Sequence, residues 1–401
     1  MLYRVACSVF LLALSLPAAE SDALAISDRL VSRHLPFGTV LDPFLDTTGQ
    51  TTGFTRCGDS AIWTGHWLAA ESFRYKVTRD DTALRNVITA LSGIRLLVDA
   101  TGNDVLARCV VPTASPFTAG ILREEADNRN YPGQCPNFEC RWVGNTSRDQ
   151  YTGVFFGLGV AHEMVDNPAV RDTVKQLVNR MLARLDDDDF AVKMPDGDTS
   201  TIFWFRTDQK LMLFLIGRAV DPGRWAGRYS RERLFQAPFV SAAVATDVLD
   251  PHNSYFKFNL NAITYYHLNR LEASGTWRGF YRRGYDLQRR TVDDHFNAHF
   301  NMIDRAIAGP DARRDAETRG LLEQWLLRPR RDDRVDYRGI LTSCHQEDRA
   351  CNPIPVPLRV RTDFLWQRSP FLLYGGGAGN IEGAGIDYLL PYWMARYFGV
   401  L

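Results

Sequence analysis

Helices of two kinds alternate along this 401-residue chain, and that alternation restricts the possible folds more than any other feature. The stretch IWTGHWLAAESFRYKV (62–77) is apolar nearly all round, so it has to be covered on every side. The next stretch, DTALRNVITALSGIRLLVDA (81–100), carries one stripe of Leu84, Val87, Ile88, Leu91, Ile94 and Val98, with polar residues elsewhere. A second pair repeats the arrangement. YTGVFFGLGVAHEMV (151–165) is apolar all round, and AVRDTVKQLVNRMLARL (169–185) lines up Val170, Val174, Leu177, Val178, Met181 and Leu185. The two units share local text, since Trp63-Thr64-Gly65 matches Tyr151-Thr152-Gly153.

Less regular copies follow. TIFWFRTDQKLMLFLIGRAV (201–220) reads as a third apolar helix, followed by an irregular stretch over 228–249. SYFKFNLNAITYYHLNRLE precedes TWRGFYRRGYDLQRRTV, and DHFNAHFNMIDRAIAG precedes DARRDAETRGLLEQWLL across a Gly309-Pro310 turn. The last apolar helix, EGAGIDYLLPYWMARYFGV, has no helix after it, which leaves SDRLVSRHL (27–35) as its partner. Six hairpins of this kind require an inner ring covered by an outer ring. The expected fold is all-α, an (α/α)6 toroid of alternating inner and outer helices. A stacked solenoid of pairs would leave its inner helices a wet face. Three long irregular stretches, 101–145, 186–200 and 329–385, are expected to gather at one mouth, where loops of this length commonly carry function.

The first 25 residues, MLYRVACSVFLLALSLPAAESDALA, have a basic start, a short apolar run and small residues, the layout of a secretory signal peptide. Ala23-Leu24-Ala25 offers a cleavage site and Ala19 an alternative, leaving 26–401 as a single domain in a secreted or periplasmic protein. Without Cys7 six cysteines remain, an even number that suits disulfides in an exported chain. Local spacing favours Cys135–Cys140 and Cys344–Cys351, with Cys57–Cys109 left over. A net charge of +0 gives no field to draw in nucleic acid or an anionic membrane. Only five of the 47 basic residues are lysine (76, 175, 193, 210 and 257). Codon bias explains such an excess of arginine; arginine clamps on an acidic substrate are the sharper reading.

Polar residues crown the starts of the inner helices: Asp59 and His66; Arg148, Asp149 and Gln150; Asp208; His252, Asn253 and Asn259; His295 and His299; Glu382 and Asp387. Asp59, Ser147 and Asn253 also suit simple helix capping. Capping leaves unexplained the aromatics beside them, Trp63, Trp67, Tyr151, Trp204 and Tyr255, which with carboxylates and amides suit a sugar-binding cleft. In export, hairpin count and crowned inner helices the chain resembles the six-hairpin, (α/α)6-toroid group of carbohydrate-active enzymes. The resemblance covers most of the mature chain as architecture. It implies an oligo- or polysaccharide substrate and one of three activities: glycoside hydrolase, polysaccharide lyase or sugar epimerase.

A glycosidase needs two carboxyl groups flanking the bond. Asp59 and Asp149 form the first pair because each lies at the start of the inner helix of one of the two clearest repeats, with Asp208 and Glu382 in reserve. Glu382 lies in the glycine-rich YGGGAGNIEGAG, and Asp363, Trp366 and Arg368 lie on the same rim. A lyase or epimerase would instead use His66, His295, His299, Tyr255 or Arg361 to move a proton beside a held carboxylate. A non-catalytic glycan-binding or scaffold toroid is the contrasting class. H-x-x-x-H at His295 and His299 lacks the glutamate of a zinc-protease helix, LDDDDF lacks calcium-loop spacing, and no cofactor motif is present, so neither metal nor cofactor is expected.

Overall fold

The computed structural model describes residues 18–249, 255–341 and 349–401; the apolar run of the expected signal peptide, His252, Asn253 and Cys344 lie outside them. Helices α1 (Glu20–Arg33), α2 (Ser60–Thr78), α3 (Asp81–Asp99), α4 (Thr118–Glu124), α5 (Arg148–Met164), α6 (Pro168–Asp187) and α7 (Thr207–Val220) make the first half. The second half holds α8 (Pro222–Gln236), α9 (Val240–Asp247), α10 (Phe256–Leu271), α11 (Gly275–Val292), α12 (Ala298–Ala308), α13 (Ala312–Leu326) and α14 (Ile386–Tyr397). The two kinds of helix behave as their sequences require. Every residue of α2 from Ser60 to Arg74 is buried, whereas α3 buries one stripe that includes Val87, Leu91, Ile94 and Val98.

The buried helices contact one another in chain order. α2 packs on α5, α5 on α7, α7 on α10, α10 on α12 and α12 on α14, and α14 returns to α2. Their amphipathic partners lie against them, with α3 on α2, α6 on α5, α8 on α7, α11 on α10, α13 on α12 and α1 on α14.

The closest of these contacts is built on glycine. A Cβ on Gly65 would stand 2.1 Å from the carbonyl oxygen of Gly153, and one on Gly157 would stand 2.2 Å from that of Gly65. A Cβ on Gly153 would meet Ile62 Cγ1 at 2.4 Å. The Thr-Gly pairs shared by the two repeats are therefore the two faces of a single backbone contact.

The irregular stretches are more ordered than a purely helical fold requires. Strands β1 (Asp42–Leu45) and β2 (Thr51–Thr55) form a hairpin, and β3 (Cys109–Pro112), β4 (Asn130–Pro132) and β5 (Cys140–Val143) form a sheet with β5 central. β6 (Ala191–Lys193) pairs with β7 (Thr199–Ile202), and β8 (Val335–Asp336) with β9 (Tyr374–Gly375). The expected third apolar helix is thereby shortened: Thr199–Ile202, rich in β-branched residues, goes to strand β7, and α7 begins at Thr207. The helix expected from Asp294 also starts late, at Ala298, because the Asn297 side chain accepts hydrogen bonds from the backbone of His299 and Phe300. His295 therefore lies outside the helix and shares no helical face with His299.

Disulfides Cys57–Cys109 and Cys135–Cys140 form as expected, the first joining the approach to α2 to strand β3. Helix α1 is bound into the fold by buried polar contacts. Ser27 Oγ donates to Glu71 at 2.6 Å, and Arg396 Nη1 of α14 donates to Glu20 at 2.6 Å. No helix among the described residues is long and apolar enough to cross a membrane.

Gly65→Ala places a methyl group inside the van der Waals radius of the Gly153 carbonyl. It is expected to cost about 3 kcal/mol, the upper end of ordinary overpacking, in urea unfolding. A loss below about 1 kcal/mol would mean that α2 and α5 separate freely and that the contact is incidental.

Candidate active site

Asp59 and Asp149 are delivered to one place by the starts of α2 and α5. Arg56 takes a left-handed conformation (φ 65°) just before Cys57, and Asn145 does the same (φ 47°) before α5. Such backbone is held only where its surroundings over-determine it, and the surroundings are dense. The Gly58 amide donates to Glu125 Oε1 at 2.6 Å, and Arg108 Nη1 donates to the Gly58 carbonyl at 2.6 Å. Asp59 occupies the N-cap position of α2, yet its side chain makes no cap bond. Its Oδ1 instead accepts from Gln150 Nε2 at 3.0 Å, while Gln150 Oε1 accepts from the Ile62 amide at 2.9 Å. Gln150, fully buried, thus ties the two helix starts together.

The carboxylates open into a cavity of about 280 Å³. Ile62 and Trp63 of α2 and Phe256, Asn259 and Leu260 of α10 supply its walls, and Asp363, Gln367 and Arg368 from the C-terminal loop close it. The Asp59 side chain is 47% exposed and lines this concavity. Burial raises its proton affinity above the ordinary value; Arg108, 3.9 Å away, and the Gln150 bond oppose that, and Asp363 adds to it. Asp149 is raised as well, by burial first and by the Asp59 charge second. Two carboxyl groups that disfavour ionising together in a partly desolvated cleft are suited to acid and base roles.

The histidines lie beneath this cleft, outside its lining. His66 is fully buried and its Nδ1 sits 2.9 Å from the Ile62 carbonyl. That contact assigns the proton to Nδ1, leaving Nε2 to accept from Asn259 Nδ2 at 3.1 Å. Asn259 Oδ1 then accepts from His299 Nε2 at 3.1 Å. Burial holds His66 down to about 4 and His299 well below its ordinary value, so both are neutral supports for Asn259, which reaches the cavity. Trp366 is fully buried against both rings, 5.3 Å from His66 and 4.6 Å from His299 between centroids.

Several expected site residues serve elsewhere. Asp208 is fully buried in a two-pronged pair with Arg206, which also holds Asp247 at 2.7 Å. Glu382 is buried in a pair with Arg29; burial alone would raise its proton affinity, but Arg29 and His34 hold it far below the carboxylate range. Neither lines the cavity. Tyr151 is fully buried and its hydroxyl accepts from the Leu106 amide at 3.0 Å. Trp67 is buried in the core, and Tyr255 stacks on His295 at 5.7 Å, away from the cavity. Trp204 is exposed, donating to the Asp189 carbonyl at 2.7 Å. Arg361 belongs to a neighbouring cavity, and Asn253 lies outside the described residues. Phe256, Leu260 and Gln367 escape the sequence reading, although Phe256 and Leu260 bracket Asn259 on one helical face. Among the described residues no group of three or more His, Cys, Asp or Glu is placed to hold a metal ion.

Comparison with protein-family models, with curated proteins and with solved structures gives no match.

Raised carboxyl groups have a consequence for stability. Between the ordinary value of 3.8 and the raised folded-state value, the folded chain binds more protons than the unfolded one, so stability falls as pH rises through that window. Asp59→Asn and Asp149→Asn remove this penalty. Each is expected to raise the melting temperature at pH 7, and the gain should shrink toward zero as pH falls to 3.8. Scanning fluorimetry across pH reads this directly, and a gain that is constant with pH would show that ionisation is not its source.

Proposed function

We propose that the chain is an exported glycoside hydrolase of (α/α)6-toroid architecture, with Asp59 and Asp149 as its acid and base. One observation carries the reading: two carboxylates from the starts of α2 and α5 line one cavity, and each has its proton affinity raised. The circuit of contacts from α2 back to α14 supports the ring, with α3, α6, α8, α11, α13 and α1 as its outer layer. The cavity, at the N-terminal ends of α2, α5 and α10, is its open mouth. Trp63 and Phe256 give a glycan apolar surface, and Asn259, Gln367 and Arg368 give it polar contacts.

The lyase or epimerase reading loses ground because its bases, His66, His295, His299 and Tyr255, do not line the cavity. A non-catalytic glycan-binding toroid is separated from the hydrolase by turnover. Purified protein is offered neutral and acidic polysaccharides while new reducing ends and ultraviolet absorbance from unsaturated uronates are followed together. Reducing ends without absorbance are expected. Asp59→Asn or Asp149→Asn is then expected to lower kcat/KM by about a hundred- to ten-thousand-fold, the worth of one general acid or base. Absorbance rising with the reducing ends would replace hydrolysis by elimination, and full activity in both variants would remove the pair from the mechanism.

Two disulfides fit an oxidising compartment and support export. The start of the mature chain follows from α1. Cleavage after Ala25 would remove buried Ala23 and the Glu20–Arg396 pair, whereas cleavage at Ala19 keeps the helix whole. Intact-mass measurement of secreted protein is expected to place the first residue at or before Glu20, and a chain beginning at Ile26 would refute this.

A further inference from the structure

Beside the cleft lies a second, much smaller cavity of about 20 Å³, and Asp363 stands in the walls of both. Four arginines, Arg56, Arg328, Arg330 and Arg361, line it against two carboxylates, Asp363 and Asp387. The guanidinium groups are unequally matched. Arg56 has Asp42 at 2.8 Å and Asp363 at 3.5 Å, while Asp363 also takes Arg368. Arg361 has Asp333 at 3.2 Å. Arg328, whose side chain is only 9% exposed, has no carboxylate nearer than Asp387 at 3.9 Å, and its Nε has no acceptor. Its Nη2 donates to the backbone carbonyl of Val360 at 2.9 Å. Arg330 lies over the Trp325 ring at 6.0 Å and has no ion-pair partner among the described residues.

Partly buried cations without a counter-charge are costly. Both Arg328 and Arg330 lose proton affinity, first through burial; Asp387 and Asp363 oppose this at Arg328 while Arg361 and Arg56 add to it, and at Arg330 Arg29 adds to it while Glu382 opposes it. An anion in the cavity would relieve that repulsion. The volume sets the size of such a group, since about 20 Å³ is close to the room one water needs. A sugar ring does not fit, and only the oxygens of a small charged substituent projecting from one match its size. Guanidinium forks match the paired oxygens of a carboxylate or sulfate.

We infer that this cavity is an anion subsite. It receives the charged substituent, a uronate carboxylate or a sulfate ester, of a glycan whose ring occupies the neighbouring Asp59–Asp149 cleft. The substrate is therefore an acidic glycan, and Asp363 is the partition between the reacting sugar and the arginine-held charge. This rests on the glycan reading of the cleft, but the anion subsite is testable without turnover.

The test is calorimetric titration of the full exported chain at low salt with three probes, D-glucuronate, inorganic sulfate and D-glucose. Arg330→Gln is the first variant, because Arg330 has no partner whose loss would unfold the chain, and Arg361→Gln is the second. Glucuronate or sulfate is expected to bind about ten-fold more weakly to either variant, with the response to glucose unchanged. Weakening of glucuronate alone identifies a carboxylate as the substituent, and weakening of sulfate alone identifies a sulfate ester. Anion binding equal in wild type and both variants, or undetectable in all three, overturns the subsite. Asp59→Asn/Asp149→Asn protein separates the two readings. Anion binding kept there while the wild type turns over no glycan defeats the hydrolase and leaves the subsite standing. Wild-type hydrolysis of a neutral glycan without anion binding does the reverse.

Discussion

The contact between α2 and α5 at Gly65, Gly153 and Gly157 is the constraint on which the proposed site depends. Backbone oxygens approach within about 2.2 Å of where a Cβ would stand, so the two helices are as close as peptide groups allow. That approach sets the spacing of their first turns. It lets Gln150, one helix over, reach both Asp59 and the Ile62 amide. The Cys57–Cys109 bridge and the clamp of Glu125 and Arg108 on Gly58 then fix the strand of chain that leads to Asp59. Two carboxyl groups are thus held where their mutual repulsion cannot be relaxed by drifting apart.

Charges elsewhere in the protein close the N-terminal and C-terminal segments onto one another. Glu382 holds Arg29 on one side and lies 3.7 Å from His34 Nε2 on the other, and His34 Nδ1 is 3.2 Å from Asp42. Asp42 in turn takes Arg56, next to the left-handed entry into α2. Burial pushes His34 down, and the two carboxylates more than reverse it, so its proton affinity is raised. The chain of pairs runs from α1 through the C-terminal loop to the rim of the cleft. It explains why the glycine-rich YGGGAGNIEGAG carries a glutamate that is anchored.

Much of the architecture was legible because burial leaves a periodic trace. All-round apolar helices and single-stripe helices differ in sequence whatever their neighbours, and the matching Thr-Gly pairs marked equivalent positions in α2 and α5. The polar crowns at the starts of those two helices singled out Asp59 and Asp149. Less legible was the direction of individual aromatic side chains. Tyr151 sits in the same repeat position as Trp63, yet its hydroxyl turns back to the Leu106 amide while Trp63 reaches the cavity. A helical residue's outlook depends on which loop is folded over it, and loops 101–145 and 329–385 leave no periodic signal. Strand β7 and the late start of α12 have a similar origin, since Thr199–Ile202 and Asn297 respond to local partners that the hydrophobic pattern does not reveal.

The carboxylates sort by their cations. Asp208 and Glu382 stood in reserve behind Asp59 and Asp149 as candidates because each opens or precedes a buried helix. In three dimensions each of the first two meets a guanidinium fork that occupies both of its oxygens. Asp59 has only Arg108 at 3.9 Å, whose shorter bond goes to the Gly58 carbonyl. Asp149 has Arg148, but that guanidinium donates to the Ile202 carbonyl at 2.8 Å. Arg108 and Arg148 are thus engaged by backbone oxygens and spare the acids a direct pair. In a chain this rich in arginine, leaving two partly buried carboxyl groups without a direct guanidinium pair requires the competing acceptors to be built in, and Gly58 and Ile202 supply them.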